Sequence, residues 1–185
     1  MKRAFLIHGW NGTPTHGFFP WLRAELELRG YVVEAPLMPD PSTPTFEKWV
    51  PFLESLVGTS DAETVVVGHS MGGLAAVRFL ERLPEGAKIG KVILVAPVVN
   101  TIENMDLMEE LVARPWLDRP FDDAKIRRFA DKIVGIFSDD DPYILLTSEE
   151  IVRNRFGAKT IVEHAKGHFS GDDGTTDLPT ILQFI

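Results

Sequence analysis

The stretch that decides the fold is Val65-Val66-Val67-Gly68-His69-Ser70-Met71-Gly72-Gly73-Leu74-Ala75-Ala76. A run of β-branched residues leads into the pattern Gly-x-Ser-x-Gly, and a helix-compatible segment follows without an intervening loop. This order predicts a strand that turns sharply into a helix and holds Ser70 in a strained conformation. Gly68 and Gly72 fit this interpretation, since side chains there would clash where strand and helix close on each other. The first amides of the helix would then point at the Ser70 hydroxyl.

The pattern needs support from the rest of the chain, because it arises by chance in about one chain of this length in twenty. The alternative is a glycine-rich turn that only packs a helix against a strand. The strand before it and the helix after it favour a nucleophile elbow, in which the serine attacks a substrate. That interpretation requires a histidine, an acid and two oxyanion-binding amides elsewhere in the chain.

Length and composition indicate one globular domain, residues 1–185, with a sizeable core. The 27 acidic and 19 basic residues give a net charge of −8, which argues against nucleic acid or an anionic membrane as a partner. The absence of cysteine excludes disulfides, thiolate metal sites and cysteine nucleophiles. The continuous apolar run before His8 has only four residues, too few for a signal peptide, and no stretch approaches the length of a membrane span. We therefore expect a cytoplasmic protein, with its oligomeric state open.

Short apolar runs alternate with amphipathic stretches along the whole chain. The predicted strands are 2–7, 31–35, 64–67, 91–96, 133–137 and 160–163. The predicted helices are 18–29, 45–57 (bent or broken at Pro51), 71–83, 105–112, 123–131, 148–156 and 177–185. Uninterrupted apolar strands joined by helices predict parallel pairing and burial on both faces. The fold class is therefore α/β, a three-layer sandwich of about six mostly parallel strands with helices on both faces.

The segment 100–122 follows a predicted strand at the edge where a site would lie. Its two Arg-Pro-aromatic sequences, 114–116 and 119–121, indicate irregular structure. It is long enough for a small lid-like insertion, whereas a large cap domain would need more chain.

Sites in such sheets lie beyond the carboxyl ends of the strands, so the residue after each strand is a candidate. After the first strand come His8, Gly9 and Trp10. The main-chain amides of Trp10 and Met71 would form an oxyanion hole beside Ser70. The alternative is a plain glycine turn closed by a structural histidine.

The fifth strand ends in Ser138-Asp139-Asp140-Asp141-Pro142, the strand end richest in carboxylates. Asp141 is the preferred acid, because Pro142 pushes it towards an extended backbone. Asp139 and Asp140 remain alternatives, as does a simple solvated acidic turn.

The last strand is followed by His164-Ala165-Lys166-Gly167-His168-Phe169. His168 lies in a loop after a glycine, as a positioned base would, and His164 is the alternative. The resulting chain order of Ser70, Asp141 and His168 is the one found in α/β-hydrolases. His69, next to Ser70, is expected to pack beneath it without a chemical role.

Four aromatic residues are candidates for an apolar substrate-binding pocket, although each could equally belong to the core. They are Trp10, Phe18, Trp116 and Phe121.

These motifs together resemble the α/β-hydrolase superfamily, and within it the small single-domain serine hydrolases grouped with retinoblastoma-binding protein nine. The matching sequences span nearly the whole chain: Thr15-His16-Gly17-Phe18 with Trp21-Leu22, Met38-Pro39-Asp40-Pro41, Trp49 with Pro51-Phe52, Arg114-Pro115-Trp116, 138–142 and Gly167-His168-Phe169. Two features differ from that family. His8-Gly9-Trp10 is closer to the oxyanion strand end of the wider superfamily, and a chain without cysteine cannot carry the Leu-x-Cys-x-Glu motif behind the family's name.

The resemblance implies a serine hydrolase without a large lid, with Ser70, Asp141 and His168 as its triad. We expect it to cleave small carboxylic esters or amides through an acyl-enzyme on Ser70, without metal or cofactor. Two alternatives are an acyltransferase with the same triad and a catalytically weak hydrolase fold that serves as a binding module.

Overall fold

The computed structural model describes residues 1–185 and contains one six-stranded sheet in the order β2-β1-β3-β4-β5-β6. The strands are β1 (Arg3–Ile7), β2 (Val32–Glu34), β3 (Thr64–His69), β4 (Ile89–Val95), β5 (Ala130–Ser138) and β6 (Lys159–Glu163). The helices are α1 (Phe19–Leu28), α2 (Phe46–Val57), α3 (Met71–Leu80), α4 (Leu107–Leu117), α5 (Asp123–Phe129) and α6 (Thr147–Phe156), followed by a 3₁₀ helix, Pro179–Phe184.

The α/β fold class and the number of strands are confirmed. All five neighbouring strand pairs are parallel, so the sheet is more uniform than predicted. Every residue of β3 is buried, as expected for a central strand covered on both faces. Fifty buried hydrophobic residues form one continuous core cluster.

The strand order reverses direction at β1, because β2 lies on one side of it and β3 on the other. Right-handed crossovers then put α1 on one face of the sheet and the later helices on the opposite face. In agreement, α1 packs on β1 and β2, whereas α2, α3, α5 and α6 contact one another in a row. A reversal of this kind opens a crevice at the carboxyl ends of β1 and β3, where parallel sheets bind ligands.

Two proline-containing segments are more regular than predicted. The segment 114–116, expected to be irregular, is helical and ends α4. The helix is started by Asp106, whose carboxylate accepts hydrogen bonds from the amides of Met108 and Glu109. Pro51 neither ends nor splits α2, which continues to Val57.

The final segment forms a 3₁₀ helix and not the α-helix predicted over 177–185. No helix in the molecule combines the length and the hydrophobicity that crossing a bilayer requires.

Candidate active site

Ser70 lies at the sharp turn between β3 and α3. Its backbone has φ 55° and ψ −121°, a strained conformation for a residue with a side chain. The turn is possible because the main chains approach closely: a Cβ atom at Gly72 would lie 2.2 Å from the carbonyl oxygen of Ile7. A Cβ atom at Gly68 would lie 2.5 Å from the carbonyl oxygen of Gly72. The strained turn predicted from the Gly-x-Ser-x-Gly pattern is therefore present.

The end of β1 passes directly beside this turn. A Cβ atom on Gly9 would lie 2.9 Å from the Cβ of Ser70. The amide of the next residue, Trp10, donates no hydrogen bond within the protein. Met71 is the first residue of α3, where an amide has no partner inside the helix. Both amides are thus free to bind an anion beside Ser70.

His8 has a structural role in the β1 turn. Its Nε2 accepts a hydrogen bond from the amide of Met38 at 2.9 Å, and its Nδ1 donates to the carbonyl of Gly9 at 2.8 Å. Burial lowers the pKa of His8, which favours this neutral form. The histidine therefore ties the start of the loop 8–12 to the segment that carries Met38.

Asp141 and His168 form a close pair at the ends of β5 and β6. The distance from Asp141 Oδ2 to His168 Nδ1 is 2.8 Å, and both side chains are largely buried. The other carboxylate oxygen of Asp141 accepts hydrogen bonds from the amides of Tyr143 and Ile144. The carboxylate is therefore held with one oxygen directed at the imidazole.

Ser70 and His168 border the same cavity, but no hydrogen bond joins their side chains. The Ser70 hydroxyl has no hydrogen-bond partner in the protein. Catalytic hydrogen bonds are often long before a substrate binds, so this spacing is compatible with a nucleophile and its base.

The alternative acids and the alternative histidine lie outside the cavity. Asp139 Oδ2 is 2.6 Å from Nδ1 of His164, whose side chain is 89% exposed. This hydrogen bond lowers the pKa of Asp139 and raises that of His164. Asp140 instead accepts hydrogen bonds from the Ser138 hydroxyl and the amide of Gly167, which lower its pKa. Both aspartates support the loop that carries His168.

A cavity of about 430 Å³ opens at this edge of the sheet and contains Ser70 and His168 in its wall. Trp10 and Phe18, both predicted to contact substrate, also line it. Glu109, Asp172 and Asp173 contribute carboxylates, and no lysine or arginine lines the cavity.

Two of the predicted substrate-binding aromatics lie elsewhere, which corrects the prediction. Trp116 is fully buried, donates from Nε1 to the carbonyl of Pro44 and packs against Trp49. Phe121 packs against Phe156 beneath the guanidinium of Arg78. Trp116 belongs to the core and Phe121 is partly buried against it, so neither side chain lines the cavity.

The cavity-lining residues that sequence reasoning missed include Ile102, Met105 and Tyr143. The Tyr143 ring meets the His168 ring edge to face, with centroids 5.2 Å apart. Tyr143 follows the predicted acid Asp141 by two residues, and this spacing could have indicated that it lies beside the site. Ile102 and Met105 lie in the segment 100–122, which was expected at the edge of the site, but nothing in the sequence singled out these two side chains.

No group of three or more histidine, aspartate and glutamate side chains is arranged to hold a metal ion.

Known proteins resemble this chain over nearly its full length. The model of the serine hydrolase family matches residues 4–185. The YdeN protein of Bacillus subtilis (strain 168) is 31% identical over 185 residues, which are 100% of this chain and 94% of that protein. Serine hydrolase RBBP9 of Rattus norvegicus is 30% identical over 174 residues, which are 92% of this chain and 89% of that protein.

Solved structures of known proteins also resemble this chain. The crystal structure of the B. subtilis ydeN gene product has a TM-score of 0.90 and 29% identity, and the match covers 99% of this chain and 96% of that one. Est1E of Butyrivibrio proteoclasticus, at a TM-score of 0.74 and 12% identity over 100% of this chain and 89% of that one, shares the fold. The resemblance deduced from the motifs is confirmed, and the chain belongs to the serine hydrolase family.

Proposed function

We propose that the protein cleaves small carboxylic esters or amides through an acyl-enzyme on Ser70. The observation that carries this proposal is the Asp141–His168 pair, whose histidine borders the same cavity as the strained Ser70. A serine, a histidine and an acid that come from the ends of three different strands match the geometry of acyl transfer.

In this mechanism the Ser70 hydroxyl attacks the substrate carbonyl carbon while Nε2 of His168 takes its proton. Asp141 keeps the proton of the imidazole on Nδ1 and stabilises the charge that develops on the ring. The amides of Trp10 and Met71 bind the oxyanion. His168 then returns the proton to the leaving alcohol or amine, and the acyl group stays on Ser70. A water molecule, deprotonated by His168, releases the acid and restores the serine.

The cavity favours small substrates without negative charge. Its volume of about 430 Å³ suits a small molecule. Glu109, Asp172 and Asp173 in its wall would repel an acyl group that bears a carboxylate or phosphate, and no cation offsets them. The lid-like segment 100–122 contributes one wall through Ile102 and Met105.

Replacement of Ser70 by alanine tests the proposal. Turnover of 4-nitrophenyl acetate should fall by about 10⁴-fold or more, and labelling by a fluorophosphonate probe should disappear. The matched control is Ser60→Ala, since the Ser60 hydroxyl has no hydrogen-bond partner and lies before β3, at the opposite end from Ser70. Near-normal hydrolysis by the Ser70→Ala protein would refute the mechanism.

The same reagents separate the alternative functions. A binding module would leave Ser70 unlabelled at neutral pH. An acyltransferase would be labelled at Ser70 by the probe. It would, however, transfer the acyl group to an added alcohol or amine in preference to water. Nitrophenyl esters of increasing acyl length, with a succinyl ester as the anionic member, would define the acyl preference.

A further inference from the structure

His69 is a buried titratable residue for which the mechanism above has no use. It ends β3, directly before Ser70, and its ring is 4.8 Å from the ring of His168, centroid to centroid. Its Nε2 lies 2.7 Å from the main-chain carbonyl oxygen of His168. A carbonyl oxygen only accepts hydrogen bonds, so Nε2 of His69 must carry the proton and donate it.

This hydrogen bond connects two strand ends that the sheet keeps apart. The loop before His168 is bound to the end of β5: the amides of Ala165 and Gly167 donate to Asp139 and Asp140. The amide of His168 donates to Asp173, within its own loop. Among the hydrogen bonds of residues 164–175, the bond from His69 is the one that reaches β3.

The loop needs such a restraint. Phe169, which follows His168, has φ 56°, a strained conformation for a residue other than glycine. Burial of the Phe169 side chain in the core holds one side of this turn, and the hydrogen bond from His69 holds the main chain of His168 beside it. A displacement of about 1 Å between reacting groups can lower a rate by about 100-fold.

The surroundings of His69 keep its donor available. Burial, aided by the nearby His168 ring, lowers the pKa of His69 to about 3, against the opposing effects of its hydrogen bond and of Asp173. His69 therefore stays neutral over the working pH range, and adds no positive charge beside the base. The edge of Phe18 packs against its ring, with centroids 5.9 Å apart.

We propose that His69 is a positioning residue, whose Nε2–H holds the main chain of His168 at the distance from Ser70 that proton transfer requires. The inference rests on the proposed function, because it gives His168 the role of the base. It differs from the expectation that His69 only packs beneath the serine.

Two amide substitutions of similar polarity test the donor. In His69→Gln the side-chain amide nitrogen takes nearly the place of Nε2 and can still reach the carbonyl of His168. In His69→Asn the nitrogen is about one bond shorter in reach and loses that contact. The measurements are kcat and KM for 4-nitrophenyl acetate, the rate of fluorophosphonate labelling, and the melting temperature of each variant. His164→Gln is the control, since His164 is an exposed histidine near the same loop that pairs with Asp139.

We expect His69→Asn to lower kcat and the labelling rate by about 10- to 100-fold with KM nearly unchanged. His69→Gln should stay within about 3-fold of the unmodified protein, and His164→Gln should not change. Equal activities of the Asn and Gln variants, whether both normal or both reduced, would overturn the proposal. If Ser70→Ala were fully active, the proposed function would fail first, so the two failures are distinguishable.

A measurement on the unmodified protein covers the case in which the Asn variant does not fold. Long-range ¹H–¹⁵N correlation spectra report the tautomer of each histidine. The proposal requires His69 as the neutral Nε2–H form at pH 7, and the Nδ1–H form would refute it.

Discussion

Asp141 divides its two carboxylate oxygens between different partners. Oδ1 accepts hydrogen bonds from the amides of Tyr143 and Ile144, and Oδ2 faces Nδ1 of His168. This division orients the carboxylate without another side chain. It also determines what an amide at position 141 would do.

In Asp141→Asn the side-chain oxygen would still accept the hydrogen bonds from the two main-chain amides. The NH₂ group would then face His168. The imidazole would then have to accept at Nδ1 and carry its proton on Nε2, so that it could no longer take the proton of Ser70. We expect kcat to fall by about 10³- to 10⁴-fold with little loss of stability. Steady-state kinetics and thermal melting would measure this.

The control for that variant is Asp139→Asn. Its side-chain oxygen can still accept the hydrogen bond from the main-chain amide of Ala165. Its activity should stay within about 2-fold of normal, because Asp139 contacts the exposed His164 and not the cavity. If both variants lost activity to the same extent, general loosening of the loops would explain the loss and Asp141 would have no special role.

At the scale of elements, the approach of α3 to β1 forms the site. The Cα of Gly72 faces the carbonyl groups of Ile7 and His8, so closely that a Cβ would lie 2.2 and 2.5 Å from their oxygens. The same region brings Gly9 against Ser70, where a Cβ on Gly9 would lie 2.9 Å from the Cβ of Ser70. Elbow and oxyanion loop are therefore one packing unit.

Gly72→Ala should force α3 and β1 apart. We expect a loss of about 3 kcal/mol or more in the free energy of unfolding, since the obstructing atoms belong to the main chain and cannot move aside. Turnover should fall by more than the loss of folded protein explains, because the Trp10 amide moves away from Ser70. Denaturant titration and active-site labelling of the folded fraction would measure both effects.

Gly86→Ala is the comparison for that variant. Gly86 has φ 85°, but its Cβ would meet open space, far from the site. Its cost should be about 1–2 kcal/mol of backbone strain with normal turnover. A Gly72→Ala protein with the same small loss and full activity would contradict the close packing.

At the scale of the whole molecule, Arg78 joins the segment 100–122 to the helical layer. Its guanidinium is 2% exposed and donates to the carbonyls of Trp116, Arg119 and Pro120, as well as to Glu81. It also lies 4.0 Å from the centre of the Phe121 ring. This anchor holds the end of α4 in the core, whereas Leu107, Met108 and Leu111 near its start are exposed.

Arg78→Met should destabilise the protein by about 3 kcal/mol, because three carbonyl groups and the carboxylate of Glu81 lose their donor in a buried place. The matched substitution Arg82→Met removes an exposed ion pair with Glu54 and should cost about 1 kcal/mol or less. Urea unfolding of both variants would test the difference. Equal losses would mean that Arg78 is not the anchor of this segment.

The strands, the elbow and the family were predictable from the sequence because they depend on local patterns. Apolar runs predict buried strands, and Gly68 and Gly72 around Ser70 predict a strained turn whatever surrounds it. The helical state of 114–116 was missed because Pro115 has a very low helix propensity and disfavours the helical conformation of the residue before it. The cap at Asp106 and the burial of Trp116 outweigh these preferences.

The tertiary structure decided which candidate residues meet. The pairing of β5 with β6 aligns Ser138 with Glu163 and brings Asp141 to His168, while Asp139 is left with His164 at the surface. The local sequence favoured Asp141 through Pro142 alone, and the packing of the two loops separates it from its neighbouring carboxylates. The sequence by itself therefore determined the elbow and the kind of chemistry that it predicts. The contacts of His69, the lining of the cavity and the placement of Trp116 and Phe121 away from it arise from distant segments. Only the tertiary structure decided them.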